Sequence, residues 1–147
     1  MGLYKRYSTN SDLENTGVIY DLGDARVLLA RAGGANTAYA KRMEALTKPH
    51  RRAIQNNSIE RDVLLGIVRQ VFAETVIKGW ETRTKKGDFV SGIEDAEGNI
   101  QPFNQDNVLR TLTDLPDLFA ELQEFAGDQN MYLQSILEDD AKNSQMS

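Results

Sequence analysis

Few side chains in this sequence have the type and spacing that catalysis or metal binding requires. His50 is the only histidine and there is no cysteine, which excludes disulfides, thiolate metal sites and cysteine nucleophiles. Beside a proline and two arginines, His50 is typical of a solvated helix boundary. The carboxylate pairs Asp114/Asp117 and Glu121/Glu124 have helical spacing and are typical of a solvated helix face. We therefore expect no enzyme activity, no cofactor and no metal site.

Two glycine-containing segments resemble fragments of ligand-binding loops. Asp95–Gly98 resembles part of a calcium loop, but the twelve-residue series of ligands and its closing glutamate are missing. Gly33-Gly34 lacks the spacing of the phosphate-binding loops. Both segments are predicted to be turns.

Charge is distributed unevenly along the chain, whose formal net charge is −5. Residues 25–52 carry seven basic side chains and one acid, whereas residues 114–140 carry eight acids and no Lys or Arg. Segments of opposite charge can face each other within the fold, dock head-to-tail between copies, or contact two different partners. Because the acidic segment repels phosphate, nucleic acid is the least favoured partner.

No segment resembles a secretion signal or a membrane span. The residues up to Arg6 contain no apolar run and no myristoylation motif. No stretch approaches the roughly 18 to 20 apolar residues that a bilayer requires. We expect a protein that does not contact a membrane and remains in the cytoplasm in which it is made.

The elements that would position these residues are predicted to form one domain of class α+β, mainly helical. We predict a flexible arm over residues 1–15, a single globular domain over 16–140 and a frayed tail over 141–147. The domain begins with a β-hairpin whose two β-rich runs flank a turn at Gly23-Asp24. A second small hairpin is predicted near residues 88–101, turning at Asp95–Gly98.

About five helices follow the first hairpin. Asn36, Ser58, Asn104 and Asp114 are the predicted N-caps. A last helix is predicted over residues 129–140. The strongest pattern runs from Ser58 to Gly79, where two adjacent apolar residues recur every four positions and predict a central helix.

Four residues are predicted to have structural roles in these helices. Gly66 predicts a close crossing of another element, because glycine inside a helix costs about 1 kcal/mol relative to alanine. Gly79 is predicted to end the central helix and Trp80 to follow it as a large anchor. Pro116 is predicted in the first turn of its helix, where its missing N–H is harmless.

Three segments form an ordered pattern along the chain. The first is Leu22–Gly33 and continues to Arg51-Arg52, the second is Ala73–Glu81, and the third begins at Asp95 and ends with Leu115–Phe119. In order and spacing they resemble the tail assembly chaperones of long-tailed phages and prophages, over roughly residues 17–125. Residues 82–91 depart from that family's pattern as an insertion, which is expected to lengthen a surface hairpin.

The resemblance implies a chaperone that binds the tape measure and tail tube proteins during tail assembly in the cytoplasm of the bacterial host. It would leave before the tail is finished. The residues expected to bind protein belong to the acidic C-terminal helices or to the basic segment. They are Leu118, Phe119, Tyr132, Leu133, Ile136, Arg51 and Arg52. For the apolar ones, the alternative is that they close the protein's own core.

Two other functions remain open. The first is that of a structural minor tail or connector protein, which would stay in the virion. Alternatively, the chain is a DNA-associated phage regulator that uses its basic segment. Self-association into a homo-oligomer is a further hypothesis, based on the charge asymmetry.

Overall fold

The computed structural model, which describes residues 2–133, combines helices with a four-stranded and a two-stranded antiparallel sheet. The helices are α1 (Leu3–Tyr7), α2 (Ser11–Thr16), α3 (Thr37–Thr47), α4 (Arg51–Gln55), α5 (Arg61–Val71), α6 (Gln105–Asp114) and α7 (Pro116–Gly127). The strands are β1 (Val18–Asp21), β2 (Ala25–Leu29), β3 (Ile77–Arg83), β4 (Phe89–Ser91), β5 (Ile93–Glu94) and β6 (Ile100–Gln101). The predicted α+β class is confirmed.

The N-terminal β-hairpin is confirmed. Strands β1 and β2 pair antiparallel, with Val18 opposite Leu29 and Asp21 opposite Arg26. Gly23 has a φ of 87° in the turn, a conformation that glycine adopts without strain. The larger sheet has the order β1-β2-β3-β4, so the hairpin packs edge to edge against β3.

The predicted helix from Ser58 to Gly79 is wrong at both ends. Glu60 is the N-cap of α5, and the Ser58 hydroxyl instead donates to the carbonyl oxygen of Ala53 at 3.3 Å. After Val71 the helix widens into a π-helix, Phe72–Val76, which leads directly into β3.

Gly79 and Trp80 therefore lie inside a strand, not after a helix. Gly79 is opposite Leu28, and a Cβ there would lie 3.4 Å from the Leu28 Cβ. Trp80 is opposite Val27, and both side chains are buried on the helix-covered face of the sheet. Burial alternates from Gly79 to Thr82, where Trp80 and Thr82 are buried and Gly79 and Glu81 only partly buried, as in a strand with one covered face.

The close crossing predicted at Gly66 is also wrong, because a Cβ at that position would meet no atom within 4 Å. A close approach occurs instead at Gly92, where a Cβ would lie 2.6 Å from the carbonyl oxygen of Gln101. Gly92 has a φ of 132° and is the turning point between β4 and β5.

The second hairpin is formed by β5 and β6, with Ile93 opposite Gln101 and the predicted turn at Asp95–Gly98. The Asp95 carboxylate accepts hydrogen bonds from the backbone N–H groups of Glu97 and Asn99. The run beginning at residue 88 does not belong to this hairpin. Its residues 89–91 form β4 and pair with β3.

Helices α6 and α7 are joined by Leu115 alone. Asn104 caps α6 as predicted, accepting from the backbone N–H of Asn107 at 2.8 Å. Pro116 occupies the first turn of α7, also as predicted. The cap predicted at Asp114 is wrong, because Asp114 is the last residue of α6 and Leu115 is the N-cap of α7.

The segment predicted to be a flexible arm contains α1 and α2. The Glu14 carboxylate in α2 is buried, pairs with the Arg31 guanidinium and accepts a hydrogen bond from the Thr9 hydroxyl at 2.9 Å. Asn10 donates its backbone N–H to the carbonyl oxygen of Tyr132. These contacts attach residues 9–14 to the rest of the fold.

The hydrophobic core lies between the larger sheet and helices α6 and α7. Its buried members come from β2, the π-helix, β3, β5, α6 and α7. They are Val27, Leu29, Phe72, Ala73, Val76, Ile77, Trp80, Ile93, Val108, Leu112, Phe119, Leu122 and Ala126.

Two further statements apply to the described part of the chain. None of its helices is both long enough and apolar enough to cross a membrane. Nowhere in residues 2–133 do three or more His, Asp or Glu side chains gather in a way that would hold a metal ion.

The predicted helix over 129–140 begins as a 3₁₀ turn, Gln129–Tyr132. Its remainder and the predicted tail 141–147 lie outside the described residues.

Candidate protein-binding surfaces

The two predicted binding residues of α7 belong mainly to the core. Phe119 is 3% exposed, and its ring packs edge-to-face against Phe72 with centroids 5.3 Å apart. Leu118 is half-buried and packs against the same core. A partner therefore cannot contact Phe119 in this fold, and Leu118 offers only part of its side chain.

The predicted residues after α7 lie at another place in the fold. Tyr132 is fully buried, and its hydroxyl donates to the carbonyl oxygen of Leu29 at 3.0 Å. Burial raises the pKa of Tyr132 far above its ordinary range. Leu133 is partly buried and forms a β-bridge with Thr9. Ile136 lies outside the described residues.

The carboxylate pairs of α6 and α7 form an exposed acidic face. Asp114, Asp117, Glu121 and Glu124 are all exposed, as the helical spacing predicted. Glu121 accepts a hydrogen bond from the Tyr20 hydroxyl at 2.9 Å, and this bond raises the pKa of Tyr20. The acidic face is therefore polar, while Leu118 and Phe119 of the same helix pack toward the core.

Arg51 and Arg52 are exposed at the start of α4, as binding residues must be. They lie in the segment that connects α3 with α5, and we call residues 37–70 the basic lobe. The lobe carries seven Lys and Arg residues against three Asp and Glu. Among the described residues, its only ion pair joins Arg42 to Glu74, at 2.9 Å.

The basic lobe has no core of its own. None of its residues is buried, although α5 has a strongly one-sided distribution of apolar side chains. Val63 is 38% exposed and Leu64 is 36% exposed, and Ile67 on the same helix is only partly buried. An amphipathic helix is stable when its apolar face is covered, and here the protein covers that face only in part.

The base of the basic lobe is held firmly to the core. The buried side-chain amide of Asn36 donates to the carbonyl oxygens of Arg31, at 2.9 Å, and Thr75, at 3.0 Å. Tyr39 packs edge-to-face on Phe72, with ring centroids 6.1 Å apart. The lobe is thus anchored at one end and exposed at the other.

A groove forms a second candidate surface, at the end of the sheet where β1 turns into β2. Its volume is about 310 Å³, and it lies between the β1–β2 turn, β3, β5 and the junction of α6 and α7. Trp80 and Ile93 form its apolar floor, Leu115 is 50% exposed, and Asp24 and Glu94 are among its lining residues. We call this the acidic groove.

Residues 82–91 contain the end of β3 and the whole of β4, and these two strands pair as a surface hairpin. That these residues are an insertion stays a prediction. Phe89 lies between two guanidinium groups. The Cζ of Arg26 is 3.5 Å from the ring centroid, and that of Arg83 is 4.6 Å from it. Strand β4 thus extends the larger sheet, and these cation–π contacts hold it in place.

Val63, Leu64 and the acidic groove were missed by reasoning from sequence. The adjacent apolar pairs of α5 were visible but were interpreted as the stripe of a buried helix. The seven basic residues of the basic lobe could have indicated that this helix is only partly covered, since buried helices rarely carry so much unpaired charge. The groove could not be found, because it depends on the position of β5.

A family model described as YdaY prophage protein matches residues 34–143, a stretch that includes the whole basic lobe and all elements from α3 to α7. No curated protein and no solved structure matches the chain.

Proposed function

We propose that this chain, which belongs to the YdaY prophage protein family, is a tail assembly chaperone. In this proposal it binds the tape measure and tail tube proteins in the cytoplasm of the bacterial host and is absent from the finished tail. Its prophage origin makes a role in phage particle assembly a natural context. The observation that carries the proposal is the basic lobe, in which no residue from 37 to 70 is buried.

A chaperone for a long helical protein needs a surface that binds helices without holding them permanently. The exposed pair Val63 and Leu64 offers apolar contacts of the kind that an amphipathic partner helix fills. Arg51 and Arg52, exposed in the same lobe, can pair with acidic side chains of a partner and increase the rate of encounter. Because the apolar residues are only about one-third exposed, each contributes little, and the partner dissociates readily.

A co-expression pull-down tests the proposal. The chain is tagged and expressed together with the tape measure protein and the tail tube protein of the same prophage. We expect the wild-type chain to recover at least one of them. The double variant Val63→Ser/Leu64→Ser should recover at least about tenfold less, since losing two contact side chains costs at least about 1.4 kcal/mol of binding energy.

A matched control distinguishes lost binding from lost folding. Val90 and Met131 are exposed to the same extent as Val63 and Leu64, 38% and 36%, but lie outside the basic lobe. The double variant Val90→Ser/Met131→Ser should recover the partners as well as the wild-type chain does. Failure of the folded wild-type chain to recover either protein, or equal losses in both variants, would contradict the proposal.

Mass spectrometry of purified virions separates a chaperone from a structural tail component. A chaperone should be absent or present only in traces, whereas a minor tail or connector protein should appear in stoichiometric amount. Retention on DNA at several salt concentrations tests the regulator, whose binding would weaken steeply as salt rises. We expect no retention at physiological salt.

A further inference from the structure

Helix α1 is an apolar, basic element that the rest of the described chain leaves uncovered. Leu3, Tyr4 and Tyr7 are 65%, 87% and 55% exposed, and their spacing places them on one side of the helix. Lys5 and Arg6 lie between them, and residues 2–11 contain no acid. Exposed aromatic and aliphatic side chains grouped in this way are typical of an interaction site.

The acidic groove has the complementary properties. Its floor is apolar, with Trp80 and Ile93, and its lining includes the carboxylates of Asp24 and Glu94. Leu115 extends into solvent at its edge, half exposed. A segment that combines a tyrosine or leucine with adjacent basic residues matches the groove in both polarity and charge.

Helix α1 and the acidic groove are attached near opposite ends of β2. Just after α1, Thr9 forms a β-bridge with Leu133, and Asn10 donates its backbone N–H to Tyr132. The Tyr132 hydroxyl in turn donates a hydrogen bond to the carbonyl oxygen of Leu29, at the end of β2. The acidic groove includes Ala25, at the beginning of β2. Four residue steps along a strand separate these ends by about 13 Å. The segment that follows α1 is therefore attached near the end of β2 that lies away from the groove.

We propose that α1 of one copy of this chain docks in the acidic groove of a second copy. Such a contact joins two different surfaces, so it is heterologous and leaves one free helix and one free groove on every assembly. Copies then add head-to-tail into open chains. The proposal concerns self-association and does not depend on the proposed function.

Complementary variants test the contact, with assembly followed by sedimentation velocity over a range of protein concentrations. Leu3→Ser/Tyr4→Ser removes the helix side, and Leu115→Asp removes the groove side. The wild-type chain should form species that grow with concentration, and each variant alone should associate at least about tenfold more weakly. An equimolar mixture of the two variants should form dimers and nothing larger, because only one intact helix and one intact groove can meet.

Charge reversal provides a second, milder set of variants. Arg6→Glu and Glu94→Lys should each weaken assembly, and the chain that carries both changes should regain it. Ile19→Ser is the control, because Ile19 is 56% exposed and belongs to neither surface. Circular dichroism verifies that each variant is folded.

Three results would overturn the proposal. They are a wild-type chain that stays monomeric at all concentrations, a mixture of complementary variants that stays monomeric, and variants that assemble as well as the wild-type chain. None of them bears on the pull-down with the tape measure protein, so the two proposals fail independently.

Discussion

Replacing Glu14 by glutamine removes a buried negative charge while the size and shape of the side chain remain almost unchanged. Glu14 is 2% exposed and pairs with Arg31, whose side chain is 20% exposed. It also accepts a hydrogen bond from the Thr9 hydroxyl. In the variant Glu14→Gln, the Arg31 guanidinium would stay in the same place without its counter-charge.

The size of the effect follows from this burial. Removing one partner of a fully buried ion pair costs about 3–5 kcal/mol of stability. Arg31 keeps some contact with water, and a glutamine oxygen still accepts one hydrogen bond. We therefore expect Glu14→Gln to lower the free energy of unfolding by about 2–3 kcal/mol, which lowers Tm by about 5–10 °C in a chain of this length.

Urea unfolding followed by tryptophan fluorescence measures this loss directly. Trp80 is the only tryptophan and is 5% exposed, so its emission reports on the unfolding of the core. Glu81→Gln is the control, since Glu81 lies 3.9 Å from Arg26 and both side chains are more than one-third exposed. The control should lose less than about 1 kcal/mol. Equal losses in the two variants would refute the assignment of a stabilising role to the buried pair.

Two further predictions concern the second hairpin. Gly92→Ala should destabilise the fold by at least about 2 kcal/mol, because φ is 132° there and a Cβ would lie 2.6 Å from the carbonyl oxygen of Gln101. Gly87→Ala, with open space around its Cβ, should cost clearly less in the same urea assay, and equal losses would contradict the steric argument. Hydrogen bonds, chiefly from the backbone N–H of Asn99, hold the pKa of Asp95 below its ordinary 3.8. Its contribution to stability is therefore present above pH 3.8 and lost as pH falls below that value, and an NMR titration of Asp95 showing a normal or raised pKa would refute this.

Local signals in the sequence predicted the first hairpin and α6 correctly. The first hairpin was predictable because β-rich runs flank a glycine turn, and α6 because Asn104 can cap it. The middle was not predictable in the same way. From Val71 to Ile77 the chain is buried almost continuously, and an apolar run of that kind fits a helix and a strand equally well.

The candidate surface was only partly predictable for a different reason. Exposure of Arg51 and Arg52 followed from their charge, because unpaired guanidinium groups remain in water. The exposure of Val63 and Leu64 could not be predicted. An amphipathic stripe indicates that one face of a helix is covered, but it does not indicate whether the same chain or a partner covers it. Burial of Phe119 and Tyr132 likewise depends on the packing of residues far away in sequence, such as Phe72 and Leu29.

The direct succession of α5, the π-helix Phe72–Val76 and β3 has a mechanical consequence. The helix that presents Val63 and Leu64 continues through the core into the strand that carries Trp80. A displacement of the exposed end of α5 is therefore transmitted to the sheet, because no loop separates α5, the π-helix and β3. Under the proposed function, a partner that binds the basic lobe should change the surroundings of Trp80. The fluorescence of Trp80 would then report binding and release of that partner.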